Sequence, residues 1–304
     1  FYSADTSSIY TTDVSGTDDT AANNTAFGYQ AYDAVTTADE GTAVGSGALG
    51  ATTTGGKNTA VGYLSLTTNT TGSDNTAVGV GSLFANTTGA KNIAIGKSAA
   101  AANTTGTRNI TIGWEAYNNS DTENDNLAIG YNAMTTNTAG GTRNLALGNY
   151  ALNSLTSGDK NVAVGYSALY AVTTGSENVA FGDGALGANT TGAANVAVGT
   201  NALNAINTGD SNVAVGSDAL GANTTGANNT AVGTDSIGNN TTGARNTAVG
   251  MNSLNANTTA ADNTSVGYNS LLANTTGTRN IAIGAYAYDA SDTENDNIAI
   301  GYQA

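Results

Sequence analysis

Apolar residues recur along this chain in short strings, each closed by a glycine. Strings of the form N-x-A-V-G end at Gly28, Gly45, Gly62, Gly79, Gly96, Gly113 and Gly130, then at Gly148, Gly165, Gly182, Gly199, Gly216, Gly233, Gly250, Gly267, Gly284 and Gly301. The spacing is 17 residues, except for 18 between Gly130 and Gly148. The extra residue falls at the Gly140–Gly141 pair, where other repeats carry one glycine. A turn absorbs an insertion more easily than a strand does. The consensus is N-[T/V/I/L]-A-[V/I/L/F]-G-x-x-[A/S]-L-x-A-N-T-T-G-x-x, with NTAVGVGSLFANTTGAK from Asn75 to Lys91 as a clear instance. Self-similarity at a fixed short period is the signature of a solenoid. A longer echo links GTRNITIGWEAYNNSDTENDNLAIGYNA from Gly106 with GTRNIAIGAYAYDASDTENDNIAIGYQA from Gly277, which points to duplication of a block of ten coils.

A 17-residue unit is too short for a helix pair with its turns, and Gly and Asn at fixed offsets interrupt any useful helix. Two short strands, N-x-A-V and A-L-x-A, joined by G-x-x and N-T-T-G turns, fit the length. Gly and Asn suit the turns because they tolerate positive φ. The pattern predicts an all-β fold: a parallel β-solenoid or β-roll of about 17 stacked 17-residue coils, two short strands per coil. Residues 23–304 form one continuous repeat domain in this reading, and residues 1–22 a degenerate first coil, cap or linker. Stacked at ~4.8 Å, the coils would make a rod on the order of 80 Å long.

Strand alternation assigns the faces. Val61, Val78, Ile95 and Val164 share one face, and Ala60, Ala77, Ala94 and Ala163 the other. If only alanine fits inside a narrow coil, the Val/Ile ladder faces outward and is covered by other chains. If the ladder faces inward with Leu66, Leu83, Leu203 and Leu254, the chain can be monomeric. The constant alanine favours association. One column is Asn in every repeat but one: Asn58, Asn75, Asn92, Asn109, Asn161 and their equivalents, with Gly41 the exception. A stacked amide ladder of this kind satisfies backbone groups. The residue before each Asn carries most of the positive charge, and Arg108, Asp125 and Arg143 alternate in sign on successive coils. Such pairs set coil register more than they stabilise.

Composition narrows the function. Of 304 residues 40 are Gly, with no Pro, Cys or His; 6% are aromatic and 10% charged. So few large apolar residues build only a thin, repeated core. Without Cys or His there is no disulfide or thiolate site, and the commonest general base is missing. No nucleophile is paired with a base at a spacing that suggests a site, which argues against an enzyme. The net charge of −15 opposes nucleic acid and anionic membranes as partners, and no apolar run is of membrane-spanning length. No cofactor is implied.

Three candidate sites remain. In the acidic SDTENDN loops, Asp121, Glu123 and Asp125 alternate, as do Asp292, Glu294 and Asp296. Such oxygens suit Ca²⁺, although the EF-hand glycine and distal glutamate are missing, and a solvated acidic turn is the competing reading. The N-T-T turns place N-x-[S/T] acceptors at Asn69, Asn86, Asn103, Asn189, Asn223, Asn257 and Asn274. These are candidates for N-linked glycan, or simply good turn chemistry. The paired threonines could instead bind ice or carry O-linked sugar. Tyr29, Tyr63, Trp114, Tyr131, Tyr166 and Tyr268 follow the anchor glycine and form either a sugar-stacking strip or an amphipathic rim.

The N-T-A-V-G-x-x-A-L-x-A-N-T-T-G string resembles the head repeat of trimeric autotransporter adhesins and the repeat region of bacterial and phage tail-fibre-domain proteins. The adhesin unit is shorter. The resemblance covers nearly the whole chain and implies a left-handed parallel β-roll, assembled as a homotrimer on a cell or virion surface. It suggests an extracellular adhesive fibre, with a cell-surface or carbohydrate receptor as partner. GYQA at the C-terminus stops partway into a coil, which leaves two expectations: the chain continues, or copies stack end to end into a filament.

Overall fold

The computed structural model describes the backbone of Ile9–Tyr10 and residues 20–136, 140–290 and 292–304. The chain divides into two compact units, Phe1–Tyr150 with Ser154–Ser157, and Ala151–Asn153 with Gly158–Ala304. Both are parallel β-solenoids. Among the described residues the first unit holds nine strands, from β1 (Ile9–Tyr10) and β2 (Thr25–Phe27) to β9 (Leu145–Leu147). The second holds nine more, from β10 (Val162–Val164) to β18 (Ile298–Ile300). There is no helix among the described residues. The register never slips: Thr59, Ala60 and Val61 pair with Thr76, Ala77 and Val78, and Val196, Ala197 and Val198 with Val213, Ala214 and Val215. Each repeat therefore stacks on its own equivalent, one coil on. Ile9 and Tyr10 pair with Thr25 and Ala26, as a first coil would; most of the rest of segment 1–22 lies outside the described residues.

The interior is built from small residues and, in nearly every coil, at least one large one. Ala60, Ala77, Ala163 and Ala214 are fully buried, and opposite them so are Leu66, Leu83, Leu203 and Leu254. The Val/Ile ladder points out. This decides between the two packings left open by the sequence: leucine is inside, but it packs against the alanine column.

The A-L-x-A stretch is not a second strand. Each coil has one three-residue strand, and the remainder is a stack of turns. Left-handed backbone is the reason. In the coil from Gly199, the glycine (φ +135°), Asn201 (+54°), Leu203 (+52°) and Ser211 (+58°) all have positive φ. A strand cannot pass through such residues. Placing leucine there costs roughly 1–2 kcal/mol, but full burial of its side chain returns about 1.5–3 kcal/mol. Burial therefore wins over local propensity. The turns hydrogen-bond internally, as Ser65 N–H does to the Gly62 carbonyl (3.3 Å), and to the next coil, as Leu66 N–H does to Ser82 (2.9 Å).

The anchor glycine is required twice over. A Cβ on Gly199 would stand 2.5 Å from the Gly216 carbonyl oxygen, in a conformation that L-residues avoid. The insertion sits at the expected turn. Gly140 has open space around its Cα, and Gly141 takes over the structural role: its carbonyl accepts from Asn126 Nδ2 at 2.9 Å, 15 residues on where other coils use 14.

Candidate functional site

The asparagine column forms the predicted ladder and lies inside. Asn58 Oδ1 accepts the backbone N–H of Asn75 (2.9 Å), while Asn58 Nδ2 donates to the Gly72 carbonyl (2.7 Å). The same pattern runs through Asn75, Asn92 and Asn109, and from Asn161 onward in the second unit. Each amide thus ties two backbone groups that the narrow coil cannot pair otherwise. At the exception, Gly41, the ring of Tyr32, buried in the leucine column, fills the space beside the glycine; the equivalent Tyr117 is placed so that Asn126 hydrogen-bonds its hydroxyl (2.6 Å).

The sequon asparagines make a second internal ladder, which corrects the glycan expectation. Asn69, Asn86, Asn103, Asn189, Asn223, Asn257 and Asn274 are all buried. Their Nδ2 atoms, where an N-linked sugar attaches, point into the coil. Asn189 Nδ2 donates to the Gly192 carbonyl (2.9 Å), and Gly192 N–H returns a bond to Asn189 Oδ1 (2.9 Å). Asn86 and Asn257 donate to the preceding amide of the column at 2.8 and 2.7 Å. Leu155, Val172 and Ile206 fill the same column where asparagine is replaced, which marks it as core. The first threonine of the turn is also engaged: Thr70 and Thr87 Oγ1 donate to the carbonyls of Thr87 and Thr104, both at 3.1 Å.

The acidic loops do not converge on a cation. Asp121 is exposed and hydrogen-bonds Thr104. Glu123 turns inward, and its Oε2 accepts from Ser120 Oγ (2.8 Å) and from the N–H groups of Asp121 (2.9 Å) and Thr122 (3.0 Å). Asp125 pairs with Arg108 (2.5 Å). Glu294 likewise caps the N–H groups of Asp292 and Thr293, and Asp296 pairs with Arg279. Among the described residues no three acidic side chains are grouped so as to hold a metal. Glu123 forms an internal cap: serine and glutamate stand where N-T-T-G repeats have asparagine and glycine. The exchange is imperfect, because Asn103 Oδ1 loses its donor on the next coil.

Among the described residues the charged column forms inter-coil ion pairs at four of the places where its sign alternates. Arg108–Asp125, Lys160–Glu177, Arg245–Asp262 and Arg279–Asp296 span 2.5–2.9 Å. Hydrogen bonds from the arginines hold Asp125, Asp262 and Asp296 below the usual carboxylate range.

Two features remain exposed and unspent. One is an aromatic row. Trp114, Tyr131 and Tyr150 meet edge to face at 6.2 and 5.3 Å, with Lys97 over the indole at 4.9 Å, and Tyr268, Tyr286 and Tyr302 repeat the arrangement. The edge-to-face contacts join these rings into an amphipathic rim. Tyr29, Tyr63 and Tyr166 are exposed in the same column. The other feature is the outer strand face. Val198, Val215, Val232, Val249, Val266 and Ile283 form an uninterrupted, uncharged column in the second unit, each 36–40% exposed. Val44, Val61, Val78 and Ile95 form its counterpart in the first, Val78 the least exposed of the four. The second outward column is Thr or β-branched apolar at Thr59, Thr76, Val196 and Val213. The chain matches no protein-family model and no curated protein.

Proposed function

We propose that this protein is a non-enzymatic structural element of an extracellular or surface fibre, and that its strand faces associate with further copies of the chain. One observation carries the reading. The core of each unit is complete with Ala, Leu and Asn, yet a continuous apolar β-branched ladder is left on the surface. Contiguous apolar surface of this kind marks an interaction site. Covering the exposed third of each Val or Ile returns on the order of 0.5–1 kcal/mol, multiplied along the stack. A second copy presents the same spacing and the same lack of charge, so it is the partner of best fit. The repeat's resemblance to adhesin heads and tail-fibre repeats supports the same reading, with three chains around a common axis.

Cryo-electron microscopy of the native material, with sedimentation velocity in parallel, tests it. The expected result is an oligomer with the Val/Ile ladder between chains, dispersed by Val198→Lys with Val232→Lys while the thermal transition of the separated chain is retained. A purely monomeric protein at high concentration overturns the reading.

A further inference from the structure

One stretch of the second unit departs from the repeat in a patterned way. Two residues after the anchor glycine, four successive coils carry Asn201, Asp218, Asp235 and Asn252. The position after the core leucine or isoleucine reads Asn204, Gly221, Gly238 and Asn255. The two columns run side by side over the turns and enclose a groove of about 590 Å³. The glycines form its floor, with Asn204 and Asn255 at its two ends. At the glycine position other coils carry large side chains such as Phe84, Tyr170 and Leu272, or a lone small residue such as Gly50, so the space comes from small residues on successive coils and not from the fold itself.

The lining is polar and partly unspent. Asn204 Nδ2 bonds Asn201 Oδ1 (3.0 Å), and Asn255 Nδ2 bonds the Asp235 backbone carbonyl (2.7 Å); both side chains are thereby fixed. Ser217 Oγ donates to Asp218 Oδ2 (2.8 Å), which leaves Oδ1 open. The Asp235 carboxylate accepts no hydrogen bond from the described residues.

We infer that this groove binds a short segment of a neutral glycan. Carboxylate and amide oxygens accept from vicinal hydroxyls, and the amide N–H groups donate back. The two carboxylates, with no basic residue in the lining, repel phosphate, sulfate and acidic sugars. The absence of any large apolar or aromatic side chain from the lining disfavours peptides and nucleobases. The groove spans three coil steps, ~14 Å, and repeats its polar groups at each step, as a chain of sugars repeats its hydroxyls. It lies on the turns, away from the strand face, so it does not rest on the self-association reading.

Affinity electrophoresis of the full chain through gels containing mannan, xylan, galactan or β-glucan tests the inference. At least one polymer is expected to retard the protein. Gly221→Tyr fills the groove with a side chain that Tyr170 shows the fold accepts at the equivalent position, and is expected to weaken that retardation at least tenfold with an unchanged thermal transition. Asp218→Asn with Asp235→Asn keeps the shape and is expected to weaken it as well. No retardation in any gel, or retardation equal in the tyrosine variant, overturns the inference. Calorimetric Ca²⁺ binding that depends on Asp218 and Asp235, without retardation, also overturns it and assigns the groove to a cation.

Discussion

At the scale of single residues, the repeat is governed by what the space between two coils admits. The glycine closing each strand faces the next coil's backbone carbonyl, so Gly199→Ala meets both a clash and a forbidden φ. We expect a loss of at least about 1–3 kcal/mol, read by chemical denaturation. The inward strand position admits only alanine without penalty. Ser265 is tolerated there because Ser253 and Ser270 bond its hydroxyl. Thr111 has no such company: it is buried and its Oγ1 has no hydrogen-bond partner. An unmet buried hydroxyl costs about 1–3 kcal/mol, so Thr111→Val, nearly equal in shape, should raise stability by on the order of 1 kcal/mol. A lower denaturation midpoint for this variant would show that the hydroxyl is satisfied in solution.

At the scale of the coil, one strand and a set of left-handed turns replace the two strands expected. The turns are held by internal amides, and the charged column adds register on the outside. Asp262 illustrates its pH behaviour. Arg245 holds its carboxyl below the ordinary range, mainly by a hydrogen bond. A depressed carboxyl contributes stability that is complete above its unfolded-state pKa and is lost as pH falls through the lowered folded value. Arg245→Ala should therefore move the Asp262 titration upward, toward ordinary carboxylates, and remove its share of the acid sensitivity. Carbon NMR of the carboxyl group measures this directly, and an unmoved titration would disprove the pairing.

At the scale of the whole molecule, the features of note are a net charge of −15 and an uncharged apolar strand face. The two oppose one another in self-association. Repulsion between copies is screened by salt, whereas burial of Val and Ile is not. Association through the strand face should therefore strengthen from low to physiological salt, and further in sulfate. Sedimentation velocity across that series reads the effect. Association that weakens with salt would point to ion pairs between copies and away from the Val/Ile ladder.

Much of this was legible without coordinates. The 17-residue period, the parallel stacking, the Asn58 ladder and the site of the inserted residue follow from the sequence, because a repeat stacked in register exposes its own geometry as columns; the constant alanine favours the alanine-in, valine-out faces, and the structure decides them. Where each remaining side chain turns was decided only by the tertiary structure. Leu203 looks like a strand residue, and becomes a left-handed turn residue because burial outweighs its backbone preference. Asn189 reads as a surface sequon, and lies inside because the turn needs its amide. Glu123 reads as a metal ligand, and instead accepts the backbone N–H groups of Asp121 and Thr122 in its own turn. A three-residue strand has a period that alternation reveals. The turns have none, and their side chains are oriented by hydrogen bonds to neighbouring coils.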